Sequence, residues 1–594
     1  MNRRINNQPI AGRSPAILWI QKGVAVGLAF GMIAQPSGAA EYIWKGDGGT
    51  TDSPKSGRWK TGAHWMGGAP LSAATNELVF KVGNNTYIST NNNGGEFFKL
   101  NKLLVELNHA TNSGAIEGAP LEFVSNGNTT PQIQVDGTAM LTEPFTLTTR
   151  QIKTDARLFL DVSSGNKLII GGTDKGGIIG TGGLRINANG AGTVELTGNT
   201  HNTLAASEDS TLGLLGGLLL LNKAGGKIAV NGDMFIRAFS NEGGVSASVK
   251  WLQDEQIKSS ATLKVTASAI PIHPFTFAAA IMDLNGRTET IRGLDAHTAS
   301  NQSVASVDLG SGKLNLLGNY TQQTQHQMRD TDLLGTRDSV LTKAGTNYTW
   351  TFNGNGHAYR GSILVEKGTF ELAKGSELGT ANAKCKAVTI KKGAKKNIAG
   401  KVNCKVTDEN FTSGSGPTQL GLTVEQGGRL VPKSQSDEVP PEDPDTPPAP
   451  FDAPGIGTAL EVLLAPGSIF EIQLDGPEAG YGFGYHSQLQ VLDGPVIIDG
   501  SYLNLVLSSE PVLAQQYMIL KNEGIGSVQG YFAGKPQGSY YTAYYAGNPY
   551  IFQVNYFGGD GNDVVLTNVA IPEPATMAMM LVVWAALSRR RRAS

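Results

Sequence analysis

Short runs of alternating apolar and polar residues, each closed by a glycine turn, recur from Glu41 to about Leu430 and govern what this chain can fold into. Gly183-Leu-Arg-Ile-Asn187 is one such run, followed by Gly192-Thr-Val-Glu-Leu-Thr-Gly198, Gly217-Leu-Leu-Leu-Leu-Asn222 and Ile228-Ala-Val-Asn-Gly-Asp233. Val307 to Leu316 and Tyr359 to Leu372 repeat the theme. Alternation of period two puts every second side chain on one face of a strand. Recurrence every roughly 20–25 residues predicts stacked coils, a solenoid. The fold class expected is therefore all-β, a right-handed parallel β-helix. Each coil buries an inward row of Val, Ile and Leu against the next, and unpaired strand edges survive only at the two ends. A string of β-sandwiches would show the same alternation and turns, and is the competing architecture. Between about Ser240 and Ala280 the pattern is poor, which predicts an insertion or an irregular coil.

Composition agrees with many short strands. The chain has 76 glycines among 594 residues and few charged side chains, and glycine supplies the positive-φ positions that tight turns need. The formal net charge is −2, so no broad basic surface is implied and nucleic acid is not an expected partner. The two cysteines, Cys385 and Cys404, either close one short loop as a disulfide in an oxidising compartment or remain buried thiols. Both readings stand at this point. No CxxC occurs, so zinc and thioredoxin-like chemistry lack support.

Both ends read as targeting segments. Arg3, Arg4, Arg13 and Lys22 precede the apolar run Gly23 to Ala34, and small residues follow Pro36. That order is a secretory signal peptide over residues 1–40, with cleavage expected after Ala39 or Ala40. At the other end, Ile571-Pro-Glu-Pro574 cannot hold a helix. Ala575 to Leu587 is apolar but for Thr576, and Arg589, Arg590, Arg591 and Arg592 form a basic block. As a helix this run is roughly 20 Å long, shorter than the ~20 residues that usually span a bilayer. It predicts a short transmembrane helix that anchors transiently, with the arginines on the cytoplasmic side. Pro572-Glu573-Pro574, the short apolar helix and the Arg cluster together resemble the PEP-CTERM sorting signal of bacterial exported proteins. The resemblance implies an exosortase-type processing enzyme that recognises Pro-Glu-Pro and removes the tail, residues 569–594. It also implies passage through secretion machinery to the cell envelope, outer surface or medium.

The body carries Tyr359-x-Gly361 followed by Val365-x-x-Gly368-x-Phe370-x-Leu372, and an entry block of Trp44-x-Gly46, Trp59, Gly62-Ala-His-Trp65 and Leu78-Val-Phe80. In these patterns it resembles autotransporter-associated β-strand repeats. The family more often has Asn where His64 stands. Residues 41–430 form the expected solenoid region. Residues 431–455, acidic and Pro-rich, are expected to be a semi-rigid linker or long loop. Residues 456–568 form a C-terminal β module. Its ending, Tyr556 to Thr567, looks like the family's usual last coil before the sorting tail.

Candidate chemistry is sparse. Gly558-Gly-Asp-Gly-Asn-Asp563-Val-Val-Leu566 fits a calcium-binding nonapeptide. Calcium needs six to eight oxygens gathered from adjacent repeats, and only one repeat is present, so Asp560 and Asp563 are weak calcium candidates that more readily close a turn. Asp283, Asp308 and Glu371 lie on strands of unknown offset, so no catalytic pair is nominated, and no HExxH, G-x-S-x-G or Walker loop is present. No catalytic residue and no cofactor are expected. Trp44, Trp59 and Trp65 either cap the open end of the solenoid or form a sugar-binding surface, and capping is preferred. The lysines at 384, 386, 391, 392, 395, 396, 401 and 405 form one locally basic stretch. It reads as a solvated face, or as a contact for acidic extracellular polysaccharide. The functional expectation is a surface or matrix protein with a structural or adhesive role. The rivals are a polysaccharide lyase or glycosidase on the same scaffold, and a calcium-dependent binding module.

Overall fold

The computed structural model describes residues 40–569, apart from 84, 108–111, 138–142, 172–176, 188–189, 206–210, 241–243, 270–276, 299–302, 319–325, 347–348, 357, 381–382, 405–419, 436–451 and 525. The described residues are strands joined by turns, with one short helical turn at Gly62–His64. No helix among them is long and apolar enough to cross a membrane. The signal and anchor helices expected from the sequence lie outside the described residues.

The strands climb in coils of three faces. One coil places Leu158–Val162 on the first face, Lys167–Ile170 on the second and Gly177–Gly180 on the third, and Leu184–Ile186 then returns to the first. Each strand pairs in parallel with its counterpart in the next coil: Leu158 with Leu184, Lys167 with Thr193, Ile179 with Thr203. β-Sandwiches would need antiparallel hairpins throughout, so the stacked-coil architecture holds and the sandwich alternative does not.

Alternation becomes packing through register. Leu160, Ile186, Leu214, Ile236, Val265 and Ala296 follow one another on consecutive coils, and all are fully buried. Burying a large aliphatic side chain is worth about 1.5–3 kcal/mol. A slip of one residue would turn the whole row to solvent, so the apolar parity fixes the register. Turn glycines make close stacking possible. Gly217 sits at φ +67°, and a Cβ there would fall 2.2 Å from the Gly192 carbonyl of the previous coil.

Two sequence expectations about the coils need correction. Coil length is not uniform. Thr349 pairs with Thr369 on the next coil, within the expected spacing, but Arg429 pairs with Ile469, a coil twice as long. The described residues of the segment from 240 to 280 are not irregular either. Gly244–Trp251, Thr262–Ala269 and Phe277–Asp283 are long strands in register with their neighbours. Their inward positions carry small residues (Ala247, Ala267, Ala278 and Ala280, all fully buried), which flattens the hydrophobic contrast.

On either side of the Pro-rich segment the chain stays in one stack. Lys433 pairs antiparallel with Pro454 and Gln435 with Asp452. Beyond it, Ile456–Ala459 stacks on Lys401–Val402 and Val462–Leu464 on Leu422–Val424. Both ends of the stack are closed by a change of strand direction. At the start, Trp44 pairs antiparallel with Trp65. At the finish, Gln516–Asn522 pairs antiparallel with Asp563–Val569, which continues antiparallel to Asn548–Gly558 and then Tyr540–Tyr545. The Tyr556–Thr567 segment is thus an antiparallel hairpin and not a further coil.

Candidate functional site

Several residues singled out from the sequence lie outside the described residues: Ala39, Pro572, Glu573, Pro574 and Arg589 to Arg592. Ala40 opens the first strand and pairs with Asn76.

Cys385 and Cys404 meet on adjacent coils as an isolated parallel bridge, with Cα atoms 4.2 Å apart, and their sulfurs are joined in a disulfide. Both are buried. Trp44, Trp59 and Trp65 are likewise buried, packed edge to face at 4.9 and 5.6 Å. Their indole N–H groups donate to the Lys55 carbonyl, the Ser89 hydroxyl and the Trp59 carbonyl. No ring face is left for a sugar, so the trio is the lid of the solenoid.

Asp563 accepts a hydrogen bond from the Asn522 backbone N–H at 2.7 Å, and burial pushes its carboxyl above the ordinary aspartate range. It ties the hairpin to the last coil. Among the described residues, no three His, Cys, Asp or Glu side chains are grouped as a metal site would require. Asp283 and Asp308 turn out to be register neighbours on the second face. Each is spent on its own turn, accepting from the backbone N–H of Asn285 and Gly310, and Asp283 also pairs with Lys250 at 3.1 Å. Glu371 lies on the first face, bonded to the Asn397 amide at 3.1 Å. The three carboxylates do not converge.

The lysine stretch is not one solvated face. Lys386 and Lys392 are exposed, and Lys384 pairs with Asp493 at 3.5 Å. Lys396 is wholly buried, its Nζ 4.2 Å from the Phe370 ring centroid.

A concavity with several charged lining residues lies elsewhere, on the outer side of the first face. Leu184, Leu212, Met234 and Leu263 are in register and point inward, so Arg185, Gly213, Phe235 and Lys264 form the neighbouring outward row. Gly213 leaves the room the ring occupies: a Cβ there would sit 2.2 Å from the Phe235 ring. Its absence lets the ring lie across the strand and reach the Arg185 guanidinium, 5.0 Å from the centroid. Arg185 is 6% exposed and donates to the Leu184 carbonyl at 2.8 Å. Two residues along, exposed Arg237 lies 5.8 Å from the ring of Phe239, itself 39% exposed. Arg157, Arg185, Phe235, Arg237, Thr262, Lys264, Thr266 and Ser268 line an open cleft of about 560 Å³, and Phe239 follows just beyond it on the same outward row. The acid on its wall, Asp233, is already engaged, accepting from the Thr262 backbone N–H at 2.7 Å and lying 3.5 Å from the Arg292 guanidinium.

This row is invisible in the linear sequence, because the coils that assemble it, from Leu184 to Leu212, on to Met234 and on to Leu263, are of unequal length. One local signal was present. In Met234-Phe-Ile-Arg-Ala-Phe239 the apolar parity is inward, and it leaves Phe235, Arg237 and Phe239 outward, an unusual aromatic and basic face for a solvated strand.

Comparison with protein-family models gave no match, and no curated protein matches the chain.

Proposed function

We propose that this chain is an exported, non-catalytic β-solenoid with a structural or adhesive role at the cell surface or in the extracellular matrix. The observation that carries the reading is the single stack of parallel coils closed at both ends, which makes a stiff rod with long lateral faces. Such a rod gives many weak contacts the spacing to sum. The buried disulfide fits an oxidising compartment, and the arrangement of residues 1–40 fits export. The coil hand is right-handed, as parallel crossover connections overwhelmingly are.

Sorting is assigned to the tail. Pro572-Glu573-Pro574 offers an extended segment to an exosortase-type processing enzyme. The short apolar run and Arg589 to Arg592 hold the chain transiently in the inner membrane after the secretion machinery has passed the body across. Extracellular polysaccharide is the proposed contact, and nucleic acid is not a partner. The carboxylates Asp283 and Asp308, each occupied by its own turn, supply no acid–base pair of the kind a glycosidase needs.

Mass spectrometry of the protein recovered from separated cell fractions tests this. The expected product begins at Ala40 or Glu41, lacks the segment from about Pro572 onward and resides outside the cytoplasm. Recovery of surface protein with the intact tail would overturn the sorting assignment.

A further inference from the structure

We infer that the cleft on the first face, between Arg185 and Ser268, binds an acidic polysaccharide, with uronate carboxylates held by the cations and sugar rings laid on Phe235 and Phe239. The inference rests on the adhesive reading and supplies the ligand class and the site that reading lacks.

Arg157, Arg185, Arg237 and Lys264 line the cleft, and its one acidic wall residue, Asp233, already faces Arg292 and the Thr262 N–H. A chain of formal net charge −2 has no general surplus of cations, so this concentration is local. A concave site in which cations outnumber anions, as here, focuses its field on an incoming anion.

The kind of anion follows from the groups present. Guanidinium presents a rigid planar fork that matches a carboxylate with two parallel hydrogen bonds. Exposed Arg237 can present that fork to the cleft, while Arg185 is held by the Leu184 carbonyl and lies over the Phe235 ring, contributing its charge from the wall. The two rings add a second requirement. Aromatic faces carry partial negative charge, which suits the electropositive C–H face of a pyranose. Phe235 and Phe239 are four residues apart on one strand, about 13 Å at the usual rise, the span of a short run of sugars. Thr266 and Ser268, both half-buried on the lane, offer hydroxyls to sugar hydroxyls. The cleft is open along the sheet face, so a polymer can enter without a free end.

A polynucleotide fits less well. Single-strand binding sites use a continuous cationic track with successive stacking platforms, and phosphate contacts accumulate along it. Here the cations are confined to the strands from Leu184–Ile186 to Thr262–Ala269, with Arg157 at one edge.

The test is a titration of the purified full chain with polygalacturonate, neutral dextran and a single-stranded oligonucleotide at low and high salt. Polygalacturonate should bind and weaken as salt rises, whereas dextran and the oligonucleotide should bind at least tenfold more weakly. Arg237→Gln with Lys264→Gln, both exposed positions, should lower polygalacturonate affinity tenfold or more with an unchanged melting temperature. Lys386→Gln with Lys392→Gln, of equal charge change on the other basic stretch, should leave it within twofold. Absence of polygalacturonate binding by the native chain would overturn the inference. So would equal losses in the two double variants, or an oligonucleotide that binds as tightly as polygalacturonate. Sorting is scored separately by the masses of the mature termini, so a failed titration removes the cleft assignment and leaves export standing.

Discussion

Replacing Lys396 by Met should make the protein more stable, and the structure gives the size and pH range of the effect. Lys396 lies in the inward row between Phe370 and Leu430 on adjacent coils. It is fully buried, and its Nζ has no hydrogen-bond partner among the described residues. Its nearest compensation is the Phe370 ring, itself stacked on Trp350 at 5.3 Å. Burial lowers the amine from 10.5 to about 7. The unfolded chain therefore holds this proton across roughly pH 7 to 10.5 while the folded chain releases it. The unfolded state binds more protons in that window, so stability rises with pH through it and the penalty is complete below pH 7. At about 1.4 kcal/mol per pKa unit the penalty is of order 4–5 kcal/mol. Met keeps the aliphatic packing and loses the charge and the ring contact, which itself is worth about 1–2 kcal/mol. A gain of about 2–4 kcal/mol at pH 7 is expected, in line with replacement of other buried charges by apolar groups.

Coils can open in segments, so hydrogen exchange on peptides spanning residues 349–402 is the appropriate assay, alongside urea unfolding at pH 6, 7, 8.5 and 10. The native chain should gain protection as pH rises, after correction for intrinsic exchange, and Lys396→Met should be more protected at pH 7 and lose that rise. Lys223 and Lys343 are also lowered by burial, to about 8, but they lie on other coils and cancel in the comparison. A variant that is destabilised at pH 7, or that keeps the full pH dependence, would refute the reasoning.

Other perturbations have equally definite outcomes. The disulfide joins residues 19 apart. Cys385→Ser with Cys404→Ser should therefore cost about 3 kcal/mol by loop entropy, and reductant should bring the native chain to the same urea midpoint. Trp59→Ala removes a buried ring from the lid and its bond to Ser89. A loss of about 3–5 kcal/mol is expected, read as early proteolysis confined to the first coils. Asp563→Asn should cost about 1–2 kcal/mol by weakening a charge-assisted bond to the Asn522 N–H, and a chelator should leave the melting temperature of the native chain unchanged. A calcium-dependent rise in melting temperature would instead restore Asp560 and Asp563 as ligands.

The coil architecture was legible because parity is local: Leu184-Arg-Ile186 or Lys313-Leu-Asn-Leu316 reveals its inward face without knowledge of any neighbour. Where inward residues are small, as at Ala247, Ala267 and Ala280, the same parity exists but contributes little contrast, and the strands look irregular in the linear sequence. Lys396 shows the opposite failure. In Ala394-Lys-Lys-Asn-Ile398 it shares the parity of the two buried apolar residues, yet a run of lysines suggests solvent, and the charge outweighed the pattern. What no single strand contains is the offset to the next coil. Because coils vary twofold in length, neither the stacking of Asp283 on Asp308 nor the row through Arg185, Gly213, Phe235 and Lys264 can be read from spacing. The pairing of Cys385 with Cys404 stays open in the sequence, and only the stacking of their coils brings the two residues, 19 apart, together.

The two reversed-strand ends carry a consequence for assembly. An open end of a parallel stack would be a template for another copy, and growth would continue into fibrils of indefinite length. Here the Trp44–Trp65 turn covers one end and the hairpin around Asp563 covers the other. Between them, sixteen successive parallel pairings run from Ala40–Trp44 to Tyr502–Leu507 along the first face. At about 4.8 Å each they give a rod of roughly 80 Å. The molecule is thereby a ruler whose reach is counted in coils by the gene and not set by protein concentration. Any larger structure it builds must grow sideways, through its lateral faces.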